Sequence, residues 1–258
     1  MTPLGLALDG GVLTLTLDRP DRRNALSPDL VRALLDALGR ARADPAVRAV
    51  LLQAAPPAFC AGGDFDAMRA RRGDALATKR AQDEGFAALA KAILHLEKPV
   101  VACVEGDAFG AGMMLVLASD YAVASPKARF AATFARVGLV PDTAGTWLLP
   151  KTLGLRDARR LALIPDPVDA KEAEELTIVN EVADDARGRA AEVARRWASM
   201  PTLALGAAKR AIVEGTSSDL ETALGREAAL QGIMFTTRDH AEGVDAFLEK
   251  RDPRFEGR

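Results

Sequence analysis

Leucine and threonine alternate through VLTLTL at residues 12–17, the period-two pattern of a half-buried strand. Ser27-Pro28 then opens a helix. Ser27 is placed to cap it, Pro28 suits its first turn, and Leu30, Val31, Leu34, Leu35 and Leu38 share one face. Apolar runs predict further strands at 47–53, 100–104, 121–124 and 178–182, and helices near 80–95, 110–119, 143–149, 156–163 and 170–176. The last of these begins at Asp169 with Glu172 three residues on, a capping box. Beyond about residue 185 the strand signal ends. Helices are predicted over 186–199, 203–214 and 219–235, the last opened by Ser218-Asp219-Leu220-Glu221 as a second capping box. Its Leu220, Leu224, Ala228 and Met234 form a stripe that needs cover from the core or another subunit. The charge-rich run RARRGDALATKRAQD at 69–83 reads as a mobile connection with a solvated face. The pattern predicts an α/β core over 1–185 and a helical region over 186–258.

Two strand-to-turn junctions carry the candidate chemistry. In VACVEGDAFGAGMML (101–115) a β-branched run breaks at Gly106 and restarts after Gly110 as an apolar helix. Such glycines let backbone N–H groups at a buried helix start face a ligand oxygen, and the helix dipole favours negative charge there. The strand VRAVLLQ (47–53) runs into PPAFCAGGD (56–64), a second tight turn of small residues. Two such turns can aim two N–H donors at one oxygen, which stabilises an enolate or a tetrahedral oxyanion.

The chain has 258 residues, 49% hydrophobic, with a formal net charge of −2, enough for a large core and without the basic excess of a nucleic-acid surface. Cys60 and Cys103 sit in apolar surroundings without metal-ligand spacing and read as reduced thiols of a cytoplasmic protein. The apolar stretch 108–118 is too short to cross a bilayer, and the N-terminus lacks the basic flank of a signal peptide. Gly110-Ala111-Gly112 mimics a dinucleotide fingerprint but lacks its third glycine. His95 at a helix end and His240 in a polar C-terminal turn read as capping or solvated, and the sequence places no base beside a Ser or Cys nucleophile.

LDRPDRRNALS (17–27), AFCAGGDF (58–65), VEGDAFGAGMML (104–115), GLVPDTAGTWLLPKTLG (138–154) and EGVDAFLEKRDPRF (242–255) together resemble the crotonase superfamily of enoyl-CoA hydratases and isomerases, in order and spacing, over nearly the whole chain. The closest motif likeness is to the ring-opening isomerase type of the phenylacetyl-CoA pathway. The resemblance implies a spiral of ββα turns and a C-terminal helical region that builds a homotrimer or a dimer of trimers. It also implies an acyl-CoA substrate whose thioester oxygen meets two backbone N–H groups, here those of Gly63 and Ala111. Alanine stands where the family more often has glycine and keeps the N–H. Coenzyme A, as part of the substrate, would meet the segment around Arg22, Arg23 and Ala25 with Ala61, Asp64 and Phe65, and the C-terminal pair Phe247 and Lys250. No metal or separate cofactor is implied.

The acid–base groups depart from the hydratase pattern. Where the resemblance implies two glutamates, this chain has Met114 and Phe134, neither of which moves a proton. Asp142, just before a predicted helix, is an N-cap on its residue context alone; the family context makes it the proton-transfer group facing the acyl chain. Among Phe134, Met114 and Leu139 it is expected to be partly desolvated, with a raised pKa. Asp64 reads as structural, while Asp66 is left open. These readings favour an isomerase that shifts a double bond in an enoyl-CoA thioester. An enoyl-CoA hydratase using Asp142 with another partner and a non-catalytic acyl-CoA-binding subunit are the alternatives.

Overall fold

The computed structural model describes residues 2–258. β1 (Leu4–Asp9) and β2 (Val12–Leu17) form an antiparallel hairpin closed by Gly10-Gly11, both at positive φ as a tight two-residue turn requires. The hydrophobic pattern does not predict β1: its outer face leaves Leu6 and Leu8 exposed, so its alternation carries little core signal. α1 (Pro28–Ala43) follows, with Ser27 Oγ accepting from Leu30 N as predicted. It leads to β3 (Ala49–Ala54).

The charged run 69–83 is helical, not a free connection. α2 (Phe65–Ala70) and α3 (Ala75–Ala81) are capped by Asp64 and Asp74, whose carboxylates accept from Ala67 N and Ala77 N. A π-helical turn, Gln82–Phe86, joins α3 to α4 (Ala87–Leu94). Next come β4 (Val100–Val104), β5 (Ala108–Phe109), α5 (Ala111–Ala118), β6 (Tyr121–Ala124) and β7 (Arg129–Ala131). The helices expected at 143–149 and 156–163 form one element, α6 (Gly145–Leu163), kinked at Gly154. β8 (Val168–Asp169), α7 (Ala170–Glu175) and β9 (Glu181–Val182) complete this part. Only the last two residues of the strand expected at 178–182 pair in the sheet, while Ile178 and Val179 are buried ahead of it.

The main sheet runs β1-β2-β3-β4-β6-β9, parallel from β2 onward, and a small second sheet runs β5-β7-β8. Leu15, Leu52 and Ala102 stand in register and face the larger core with α1, α4 and α5. The opposite face, with Val12, Ala49, Leu51, Val101, Cys103 and Val123, packs against α8 (Ala186–Ala198). Burial on both faces is why β3 and β4 read as nearly continuous apolar runs. Thus α8, the first helix of the tail, is packed on the sheet.

α9 (Thr202–Gly215), α10 (Leu220–Met234) and α11 (Arg238–Glu249) follow. α10 is capped by Asp219, which accepts from Thr222 N, so the predicted start at Ser218 moves by one residue. His240 lies inside α11, stacked on Phe235, and not in a turn. Lys209 ties α9 to the core: its buried Nζ donates to Asp120 Oδ2 at 2.7 Å and to Ile93 O at 2.8 Å. Arg48, at the entry to β3, donates to Thr202 Oγ1, Met200 O and Phe255 O, and so gathers three points of the C-terminal region. Among the described residues no helix is long and apolar enough to cross a membrane.

Candidate active site

β3 and β4 end side by side, and the turns that follow them are pressed together. Cys60 N donates to Asp107 O and Phe109 N to Cys60 O, a parallel bridge between the two turns. A Cβ on Gly112 would fall 2.7 Å from Cys60 Cβ, and one on Gly62 would lie 3.0 Å from Phe109 O and 3.6 Å from Ala111 N. Only glycine permits this approach.

A second parallel bridge, Leu26 to Gly63, runs through Leu26 N to Gly62 O and Asp64 N to Leu26 O. It uses the neighbours of Gly63 and bypasses its own amide. Ala111 is the first residue of α5, where an N–H has no partner within the helix. Among the described residues neither the Gly63 nor the Ala111 N–H donates to a backbone or side-chain acceptor. Two amides on touching turns are thus available to an external oxygen. Met68 and Phe86 close the space beside Gly63: a Cβ there would run into Met68 Cε and lie 3.6 Å from the Phe86 ring.

Asp142 stands on the loop between the turn Thr133–Val137 and α6. Thr143 and Ala144 both take left-handed conformations, and α6 begins only at Gly145. The Asp142 side chain is therefore no N-cap of α6, which has no side-chain cap. A β-branched residue at positive φ is strained, and these two left-handed residues separate Asp142 from the start of α6. Oδ1 accepts from Thr143 Oγ1 and Oδ2 from Gln82 Nε2, both at 2.8 Å. Burial raises the pKa of Asp142, and these two donors partly offset it; no charged side chain enters the balance.

The apolar surroundings match expectation in part. Met114 is fully buried and Phe134 is 6% exposed, whereas Leu139 is 44% exposed and lies toward the outside. A Cβ on Gly145 would fall 2.8 Å from Met114 Sδ and 3.0 Å from Pro141 Cβ, which places Met114 against the Asp142 loop. Cys60 is no competing nucleophile, because burial pushes its thiol up to about 12.

The segment holding Arg22, Arg23 and Ala25 is sewn to the first turn. Ala61 N donates to Arg23 O, and the buried Asn24 Nδ2 donates to Ala55 O and Ala58 O. Arg19 Nη1 reaches both Ala25 O and Asp64 Oδ2. Arg22, Arg23, Ala25, Ala61, Asp64 and the exposed Phe65 therefore share one edge of the molecule. The Asp64 carboxylate is committed to the α2 cap and to Arg19; burial pushes its pKa up, but these bonds outweigh it and hold it below the usual range. Asp66 pairs with Arg22 at 3.0 Å, and Arg23 shares the buried Asp107 with Arg129. Phe247 and Lys250 lie apart, on α11 and at its end. Among the described residues no hydrogen bond or ion pair joins them to that edge; Phe247 instead lines a groove of about 840 Å³ between α9, α10 and α11.

Gln82 is the residue that sequence reasoning passed over. It sits 60 residues from Asp142 in a charged run, where no motif marks it.

A parallel sheet whose strand-end turns free two amides, with a carboxylate on a loop packed against α5, defines an enzyme of the crotonase fold. The chain belongs to the enoyl-CoA hydratase/isomerase family, whose pattern matches residues 8–258, and is an acyl-CoA enzyme of that family. It is 36% identical over 254 residues to 1,2-epoxyphenylacetyl-CoA isomerase of Escherichia coli K12, covering 97% of each chain. It is 39% identical to a protein named "Probable enoyl-CoA hydratase" in Rhodobacter capsulatus, covering 96% of this chain and 95% of the other. The crystal structure of an enoyl-CoA hydratase/isomerase from Cupriavidus metallidurans CH34 superposes with a TM-score of 0.93 at 32% identity, covering 100% of this chain and 97% of that one.

Proposed function

We propose that the protein shifts a double bond in an enoyl-CoA thioester, with Asp142 as its single acid–base group. Asp142 would take a proton from one carbon of the acyl chain, the electrons moving to the thioester oxygen, and return it to another carbon. The free N–H groups of Gly63 and Ala111 would hold the enolate oxygen. The observation that carries this reading is the half-buried Asp142 carboxylate, raised in pKa and without an ionised partner, next to the apolar Met114. Hydration needs one group to activate water and another to protonate carbon, and Met114 and Phe134 supply neither.

Coenzyme A would lie along the edge formed by Arg22, Arg23, Ala25, Ala61, Asp64 and Phe65. The Asp64 carboxylate and backbone are committed within the chain, so Asp64 would shape this edge for the nucleotide. The exposure of Phe247, at 83%, and the uncovered apolar face of α10 favour a homotrimer or a dimer of trimers in which Phe247 and Lys250 complete a site across an interface. The hydratase name of the Rhodobacter relative keeps hydration as the competing reading.

Incubation with 2-enoyl-, 3-enoyl-, dienoyl- and cyclic-acyl-CoA thioesters in deuterated water separates the two. Isomerisation with label exchange, and without net water addition, supports the proposal. Hydration of crotonyl-CoA faster than any isomerisation overturns it, and thioester binding without either reaction leaves a binding subunit.

A further inference from the structure

We infer that Gln82 is a positioning residue that keeps Asp142 ionised and oriented for proton abstraction; this rests on the function proposed for Asp142. Gln82 Nε2 donates to Asp142 Oδ2 at 2.8 Å, from an element that no motif connects to the acid–base loop. An ionised carboxylate only accepts hydrogen bonds, so the amide must present its NH2 end. Together with Thr143 Oγ1 on Oδ1, each carboxylate oxygen then holds one neutral donor and keeps one lone pair for the substrate proton.

The backbone delivers Gln82 to this place. It opens the π-helical turn, in which Ala87 N donates to Gln82 O, five residues back. The inserted residue offsets α3 from α4 by about 100°. α4 can thus bury Leu89 and Ile93 against the core while Gln82 faces Asp142. One-residue π insertions of this kind concentrate at functional sites.

A neutral donor suits this position. A Lys or Arg would pair with the carboxylate and lower its basicity, and an apolar residue would leave Thr143 as the one side-chain donor opposing burial. The charged groups on the elements packed around the loop are engaged elsewhere or turned outward. Lys79 pairs with Asp83, Glu84 is exposed, Arg136 pairs with Asp166, and Lys151 reaches Thr216 O. α5 carries no titratable side chain.

The test compares Gln82→Met, which keeps the length and removes the donor, with Gln82→Glu and Asp142→Asn. The readouts are kcat/KM for isomerisation across pH, and affinity for a saturated acyl-CoA. A hydrogen bond to an ionised group corresponds to roughly one to two pH units. In Gln82→Met the acidic limb is expected to move up by about one unit, with kcat/KM falling about tenfold below the limb and little on the alkaline plateau. Affinity for the saturated thioester should be unchanged. Gln82→Glu should move the limb at least as far, because two adjacent carboxyls share a proton. A uniform loss at every pH, or an unmoved limb in both variants, overturns the inference while Asp142→Asn remains inactive. Full turnover by Asp142→Asn overturns the function on which it rests.

Discussion

Gly112→Ala tests whether the contact between the two turns holds the Ala111 amide in place. The new Cβ would run into the Cys60 carbonyl oxygen and stand 2.7 Å from Cys60 Cβ, so the first turn of α5 must retreat by about 1 Å to reach ordinary contact. Cys60 cannot yield, because its N–H and C=O are both bonded to the chain around β5. Alanine in a helix returns about 1 kcal/mol relative to glycine, and overpacking against fixed atoms costs about 1–3 kcal/mol. The steric term wins, for a net loss of about 1 kcal/mol and a fall of about 2–4 °C in Tm. The kinetic effect is larger. A shift approaching 1 Å in a catalytic group costs up to about 100-fold, and loss of one oxyanion donor about 100- to 1,000-fold, so kcat should fall about 10- to 100-fold. Gly39→Ala is the matched control: it lies exposed in α1 with nothing within 4 Å of its Cβ, and should stabilise by roughly 0.5–1 kcal/mol with kcat unchanged. Thermal unfolding and steady-state isomerisation of the three proteins decide the matter. If Gly112→Ala matches wild type in both, the glycine does not set the position of Ala111.

Three further outcomes follow from other parts of the molecule. Because burial raises the pKa of Asp142, the folded state binds its proton more tightly than the unfolded chain, and stability falls as pH rises from the unfolded value to the folded one. Asp142→Asn should therefore be more stable than wild type at pH 7 and lose that advantage near pH 3, as denaturant titration at the two pH values would reveal. Lys209→Met leaves the Asp120 carboxylate buried without its cation and should cost about 3–5 kcal/mol, with the double variant Lys209→Met/Asp120→Asn recovering part of it. An effect below 1 kcal/mol would mean that α9 is held by packing alone. Lys250→Ala should weaken acyl-CoA affinity with a marked salt dependence and leave the sedimentation profile unaltered, whereas truncation after Ser217 should disturb both; a truncated chain that binds normally as a monomer would remove the tail from the site.

Much of this was legible before any coordinates. Ser27 capping, the strands at 100–104 and 121–124, and the glycine turns follow from local patterning, which is strongest where a segment is buried on one or both faces. The turns at 106–110 and 56–64 announced amides that could face a ligand, but the close approach at Gly62 and Gly112, and which amides stay free, depend on bridges between residues far apart in sequence, such as Leu26 and Gly63. β1 escaped because its outer face is exposed. The run 69–83 was misread because α2 and α3 bury no side chain; their only strong local signals were the capping Asp64 and Asp74. Asp142 looked like a cap until the left-handed Thr143 and Ala144 moved the helix start to Gly145, a backbone choice that no propensity favours. Gln82 could not be found at all, since a single glutamine acquires meaning only from the carboxylate the fold brings to it.

The Arg48 side chain sets a timetable for making this protein. One of its acceptors, the carbonyl of Phe255, lies 207 residues downstream. At about 5–20 residues per second, that separation amounts to roughly 10–40 s in which the nascent sheet can form while this guanidinium still lacks its last partner. The clasp closes only once Phe255 has been made, so a later segment of the chain is secured by one made well before it.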